Sequence, residues 1–170
     1  MSRLVADTSG LVSLGIAAGD DPDPLSICVE RYEVIVPTAV AEELRETASY
    51  DDAHGRAATA VLDRTGSIAT RSVDLDAEFP LDDGENASVA LANDLDAALL
   101  LCDEFNQVGL IHASLADTRL VTTPTLLSAL VRTDALSAGD ARAILDEVSD
   151  ARSWDANSYV QRARSLLEQG

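Results

Sequence analysis

Four acidic side chains at the edges of apolar segments are where this sequence offers chemistry. Asp7 follows Leu4-Val5-Ala6 and precedes Thr8-Ser9-Gly10, while Asp103 follows Leu99-Leu100-Leu101-Cys102. A carboxylate against buried apolar residues loses hydration and needs a partner. Two more acids sit on segments with helical periodicity. In PTAVAEELRE (37–46), Val40 and Leu44 share a helix face. Glu43 lies about 60° from Val40 at ~100° per residue, whereas Glu42 and Glu46 point nearer the opposite side. In GENASVALA (84–92), Glu85 falls in the first turn of a helix that is apolar nearly all round. Each acid alone has an ordinary structural reading, as a helix cap or a complement to the helix dipole. Together, four inward carboxylates cannot all stay ionised side by side without a cation. The chain has no Lys to neutralise them. A divalent metal is the economical partner, and all-oxygen ligands favour Mg²⁺ or Mn²⁺ over zinc.

The elements that must position these acids read as follows. Short apolar strands are expected at 3–7, 33–37, 67–73, 97–102 and 118–122. Helices are expected at 8–18, with Thr8 or Ser9 as cap, and at 25–31, 38–49, 51–65, 83–94, 124–133, 138–149 and 156–168. Pro37 suits the first position of its helix, and GDDPDP (19–24) reads as a turn. Strands alternating with helices predict an α/β domain whose parallel sheet is covered on both faces. In such a sheet ligands sit at the carboxyl ends of the strands. Asp7 and Asp103 would emerge there together.

The 170 residues suit one domain, and 46% of them are apolar. The 30 acidic residues, 20 of them Asp, face 12 Arg, for a net charge of −18. This composition resembles that of proteins from extreme halophiles. At 1 M salt the Debye length is only ~3 Å, so global acidity does not exclude a nucleic-acid substrate. The absence of Lys does exclude P-loop phosphate binding and Schiff-base chemistry. It also argues against phosphotransfer receivers and haloacid-dehalogenase-like phosphatases, which share the strand-then-Asp opening but rely on a lysine. Cys28 and Cys102 read as buried, reduced thiols. His54 and His112 lack the spacing of a zinc site or a triad. Asp7-Thr8-Ser9-Gly10 carries little weight as an aspartic-protease loop, which belongs to an all-β fold. Trp154 and Tyr159 read as packing residues. No apolar run is long enough to span a membrane. The first residues lack a signal-peptide pattern, so a cytoplasmic protein is expected.

Five stretches, in order, resemble the PIN domain family of metal-dependent ribonucleases: VADTSGLVSLG, VPTAVAEELRE, DDGENASVALA, LLLCDE and LADTRLVTTPTLLSALV. The resemblance implies a single three-layer α/β/α domain over 1–170, with a core of about 3–135 and extra C-terminal helices at about 137–168. It implies Asp7, Glu43, Glu85 and Asp103 as the catalytic, metal-binding cluster, with Glu104 assisting. Ser9 and Thr122 or Thr123 match positions beside the metal. Asp117 is the one further acid near the closing strand. The family commonly has a basic residue soon after the acidic pair, and FNQVGLIHA (105–113) has none. Arg45, Arg71 and Arg119 are the candidates for RNA phosphate contacts, Arg119 in place of the missing charge. The function implied is hydrolysis of RNA phosphodiesters with Mg²⁺ or Mn²⁺, in the commonest case as the toxin of a toxin–antitoxin pair. An antitoxin partner, whose tail would enter an apolar groove between the first helices, and a homodimer would follow. The alternative is a catalytically silent PIN-like domain that binds or assembles.

Overall fold

The computed structural model describes residues 1–75, 78 and 81–168. Among these, five parallel strands form one sheet: β1 (Arg3–Ala6), β2 (Glu33–Pro37), β3 (Ile68–Arg71), β4 (Leu99–Leu101) and β5 (Arg119–Val121), in spatial order β3-β2-β1-β4-β5. Chain order runs outward from β1 in one direction as far as β3, then returns to β1's other side with β4. The switch point therefore lies between β1 and β4, where Ala6 pairs with Leu101. An open α/β sheet binds its ligands outside the carboxyl ends of strands at such a point.

Both faces of the central strands are buried, and alternation along them assigns their buried side chains to one of two cores. Leu4, Ala6, Val34, Val36 and Leu101 face the larger core. This core is covered by α1 (Thr8–Ile16), α2 (Pro24–Arg31), α4 (Ala53–Leu62), α7 (Thr123–Arg132), α8 (Ala138–Arg152) and α9 (Ser158–Glu168). Val5, Ile35, Leu100 and Cys102 face the smaller core, together with Val89, Leu91 and Ala92 of α5 (Asp83–Asp94) and Ile111 of α6 (Val108–Ser114). Helix α3 (Thr38–Ala48) buries Val40, Ala41 and Leu44 and bridges from the sheet edge to α4 and α5. The expected architecture, with its additional C-terminal helices, is the one found.

Local signals explain most boundaries. Asp23, Asp52, Asp82 and Ser137 each accept a backbone N–H of the helix they precede, at 2.8–3.1 Å. Two details differ from expectation. The cap position of α1 is Asp7, not Thr8 or Ser9, and its side chain makes no capping bond. Pro37 occupies the cap position of α3 as the last residue of β2, one place before the first helical turn. Helix α6 was not anticipated, because VGLIHAS is short and carries only one buried side chain, Ile111. No helix among the described residues is long and apolar enough to cross a membrane.

Candidate functional site

A cavity of about 430 Å³ opens at the carboxyl edge of the sheet, beside the switch point. Asp7, Glu43, Asp82, Glu85 and Glu104 contribute carboxyls to its lining, which also includes Thr8, Ser9, Tyr50, His54, Arg152 and Trp154. The five acids come from four elements. Asp7 ends β1, Glu43 projects from α3, Asp82 and Glu85 belong to the start of α5, and Glu104 follows β4.

Asp7 owes its position to register. Its N–H donates to the Leu101 carbonyl at 2.9 Å, which continues the ladder one step past the strand. Its side chain therefore lies level with Cys102, on the side of the smaller core. The Ser9 hydroxyl donates to Asp7 Oδ2 at 3.0 Å, and the Cys102 thiol donates to the same oxygen at 3.4 Å. Asp7 is only 3% exposed. Burial pushes its carboxyl up to about 6, against the opposing pull of the Ser9 and Cys102 hydrogen bonds. Burial, joined by the nearby Asp7 charge, drives the Cys102 thiol far up as well, so it acts as a neutral donor.

Glu43 is fixed from two sides. The Thr8 hydroxyl donates to its Oε2 at 2.6 Å, and the Gly84 amide at the start of α5 also hydrogen-bonds it. A Cβ at position 84 would stand 2.1 Å from Glu43 Oε1, so any larger residue there must displace the Glu43 carboxyl. Burial raises the Glu43 carboxyl, and the Asp82 and Asp83 charges add to the effect. Glu85 is 6% exposed. Burial, then the charges of Asp82, Asp7 and Glu104, push it up to about 8. A hydrogen bond between the Glu85 and Asp82 carboxyls further favours the protonated form. Glu104 is raised by burial and lowered by the Arg152 guanidinium.

Asp103 goes elsewhere. It follows Leu99 and Leu101 in parity, so its side chain turns toward the larger core and meets the start of α7. Thr123 N–H donates to its Oδ1 at 2.7 Å and the Thr123 hydroxyl to its Oδ2 at 2.6 Å. Asp103 is 4% exposed and is absent from the cavity lining. Its backbone N–H donates to Ser9 Oγ at 2.9 Å. One hydroxyl thus joins the two strand ends, accepting from Asp103 and donating to Asp7. Thr122 caps α7, its Oγ1 accepting the Thr125 N–H at 3.4 Å.

The structure therefore brings Asp7, Glu43, Glu85 and Glu104 together with Ser9, and it places Asp103, Thr122 and Thr123 behind them at α7. Arg119 begins β5 opposite Leu99, at the amino edge of the sheet, away from the rim where Asp7 emerges. Arg45 and Arg71 are exposed and do not line the cavity, and Asp117 is likewise exposed. Four residues of the site escaped the sequence reading. Asp82 resembles an ordinary cap, and it is one. Cys102 reads from sequence as an inert buried thiol, yet it donates to Asp7. His54 lines the cavity with its buried Nε2 lacking any hydrogen-bond partner. Arg152 lies far down the chain, where no local pattern links it to the acids.

The fold and its site define an α/β domain with interacting carboxyls gathered at the switch point of a parallel sheet. A family profile described as a PIN domain (DUF3368) matches residues 3–169, and the chain belongs to this family. No curated protein matches the chain.

Proposed function

We propose that this chain is a metal-dependent ribonuclease that hydrolyses RNA phosphodiester bonds. The observation that carries the reading is the meeting of Asp7, Glu43, Glu85 and Glu104, from four separate elements, on one cavity. Their carboxyls are all raised. Acids that disfavour one another's ionisation are a poor arrangement for stability alone and a good one for a divalent cation. Among the described residues no three Asp, Glu, His or Cys side chains form a ready-made metal cluster. The donor chemistry nevertheless fits Mg²⁺ or Mn²⁺, being carboxylate oxygens with neighbouring hydroxyls. Asp7, Glu43, Glu85 and Glu104 are the residues that would hold the ion.

Such an ion supplies Lewis acidity toward a phosphodiester. The chain's own residues do the rest. Ser9 and Cys102 aim Asp7. Thr8 and Gly84 aim Glu43. Burial and the neighbouring carboxylates push Glu85 up to about 8, which favours its protonated form near neutral pH. The test is RNA cleavage by the purified chain in molar KCl, with Mn²⁺ or with EDTA, beside Asp7→Asn. Metal-dependent cutting lost on the order of 10³-fold in the variant is expected. Equal cutting by both proteins would remove Asp7 from the mechanism. Two proteins that are equally inert but still bind RNA would point to a silent binding module instead.

A role as toxin, with an antitoxin partner and a homodimeric state, is a narrower proposal that the family resemblance supports. Its checks are a small reading frame directly upstream and the mass of the purified chain in solution.

A further inference from the structure

The cavity that this reading assigns to RNA is lined by five carboxyls and one cation. Among the described lining residues Arg152 is the one arginine that a polyanionic substrate would meet there. Arg152 is the last residue of α8, and its guanidinium lies 5.6 Å from the centroid of the Trp154 ring. Ser153 between them adopts the left-handed conformation at φ 57°, and the Trp154 N–H closes the turn on the Ser149 carbonyl at 3.0 Å. The Trp154 ring meets Phe105 edge-on, with centroids 5.1 Å apart, and Phe105 directly follows Glu104. The guanidinium is thus braced by aromatic packing to the same segment that delivers Glu104.

Arg3, Arg64 and Arg164 are each paired with a carboxylate, to Glu33, Asp23 and Asp146 respectively. Arg152 forms no ion pair among the described residues; burial raises the Asp103 and Glu104 carboxyls, and the Arg152 charge offsets part of that rise. A guanidinium kept by a ring, rather than by a carboxylate, retains its donor fork for an incoming oxyanion. We propose that Arg152 is the phosphate anchor of the substrate cleft and that Trp154 is the residue that positions it. This assignment rests on the ribonuclease reading and adds a residue outside the acidic cluster.

The test uses the full chain with Mn²⁺ in molar KCl and a short fluorescein-labelled oligouridylate. Arg152→Gln should raise KM about tenfold with a smaller change in kcat, since a charge-assisted phosphate contact is lost. Arg152→Lys keeps the charge but loses the fork, and should fall between. In a cleavage-deficient Asp7→Asn background, adding Arg152→Gln should weaken binding of the oligonucleotide by a similar factor. The salt dependence of that binding should become shallower by about 0.7 in log–log slope. An unchanged KM, or binding equal in Asp7→Asn and Asp7→Asn/Arg152→Gln, would overturn the anchor. If Arg152→Gln does not fold, Arg152→Ala decides, and parental KM in that variant overturns the proposal. Cleavage that survives Asp7→Asn unchanged would instead sink the ribonuclease mechanism. The binding comparison would still rule on Arg152.

Discussion

Asp7 and Asp103 have the same local sequence setting, each closing an apolar strand, yet they do different work. Asp7 sits at a helix cap position and does not cap. Its carboxyl is held by a hydroxyl and a thiol at the wall of an open cavity. Asp103 spends both oxygens on Thr123 and fixes the start of α7 to the end of β4. The difference comes from parity. β1 and β4 are in register with Ala6 beside Leu101, so Asp7 is level with Cys102 and the two aspartates point to opposite sides of the sheet. A strand-end acid is thus defined by the face it takes as much as by the end it occupies.

Four substitutions and conditions sharpen or break that contrast. Asp7→Asn should have the largest effect, with cleavage falling on the order of 10³-fold while the fold survives. Circular dichroism and a denaturation curve beside the rate assay check both halves. Gly84→Ala should come next. The new methyl must displace the Glu43 carboxylate, and a misplacement of about 1 Å can cost on the order of 10²-fold in rate. Alanine is favoured over glycine inside a helix by about 1 kcal/mol, so stability should move little. A urea titration that showed a large loss would mean that the contact is structural.

Asp103→Asn should reverse the pattern. Breaking a buried charge-assisted pair of hydrogen bonds should lower stability by about 2 kcal/mol, read as a drop in the urea midpoint. A variant as stable as the parent but inactive would show that Asp103 serves the cavity after all. The smallest effect is a pH trend. Asp7 moves from 3.8 to about 6 and Glu85 from 4.5 to about 8 on folding. Both therefore bind protons more tightly when folded. In EDTA, stability should fall as pH rises from about 4 through about 8. Thermal midpoints across that range should decline, and Mn²⁺ should flatten the decline by favouring the ionised carboxyls.

The sheet, its helices and the family were legible because alternating short apolar strands and amphipathic helices leave strong periodic signals. Glu43 was separable from Glu42 and Glu46 by helix geometry alone, and it is the half-buried one while its neighbours are exposed. The destination of Asp103 was harder to see. It depends on pairing register, which a strand's own sequence does not state. Arg119 is the candidate for the missing basic charge, but as the first residue of a parallel strand it lies at the amino edge of the sheet, and that position follows from strand direction rather than from residue type. Arg152 left no trace, since a contact made across the fold by the end of a late helix follows no spacing rule.

The left-handed turn at Ser153 hangs both the guanidinium of Arg152 and the ring of Trp154 on the carboxyl end of one helix. All five carboxyls of the cavity stand on other elements. Fraying of the last turn of α8 would therefore leave the acids in place and withdraw Arg152 from among them.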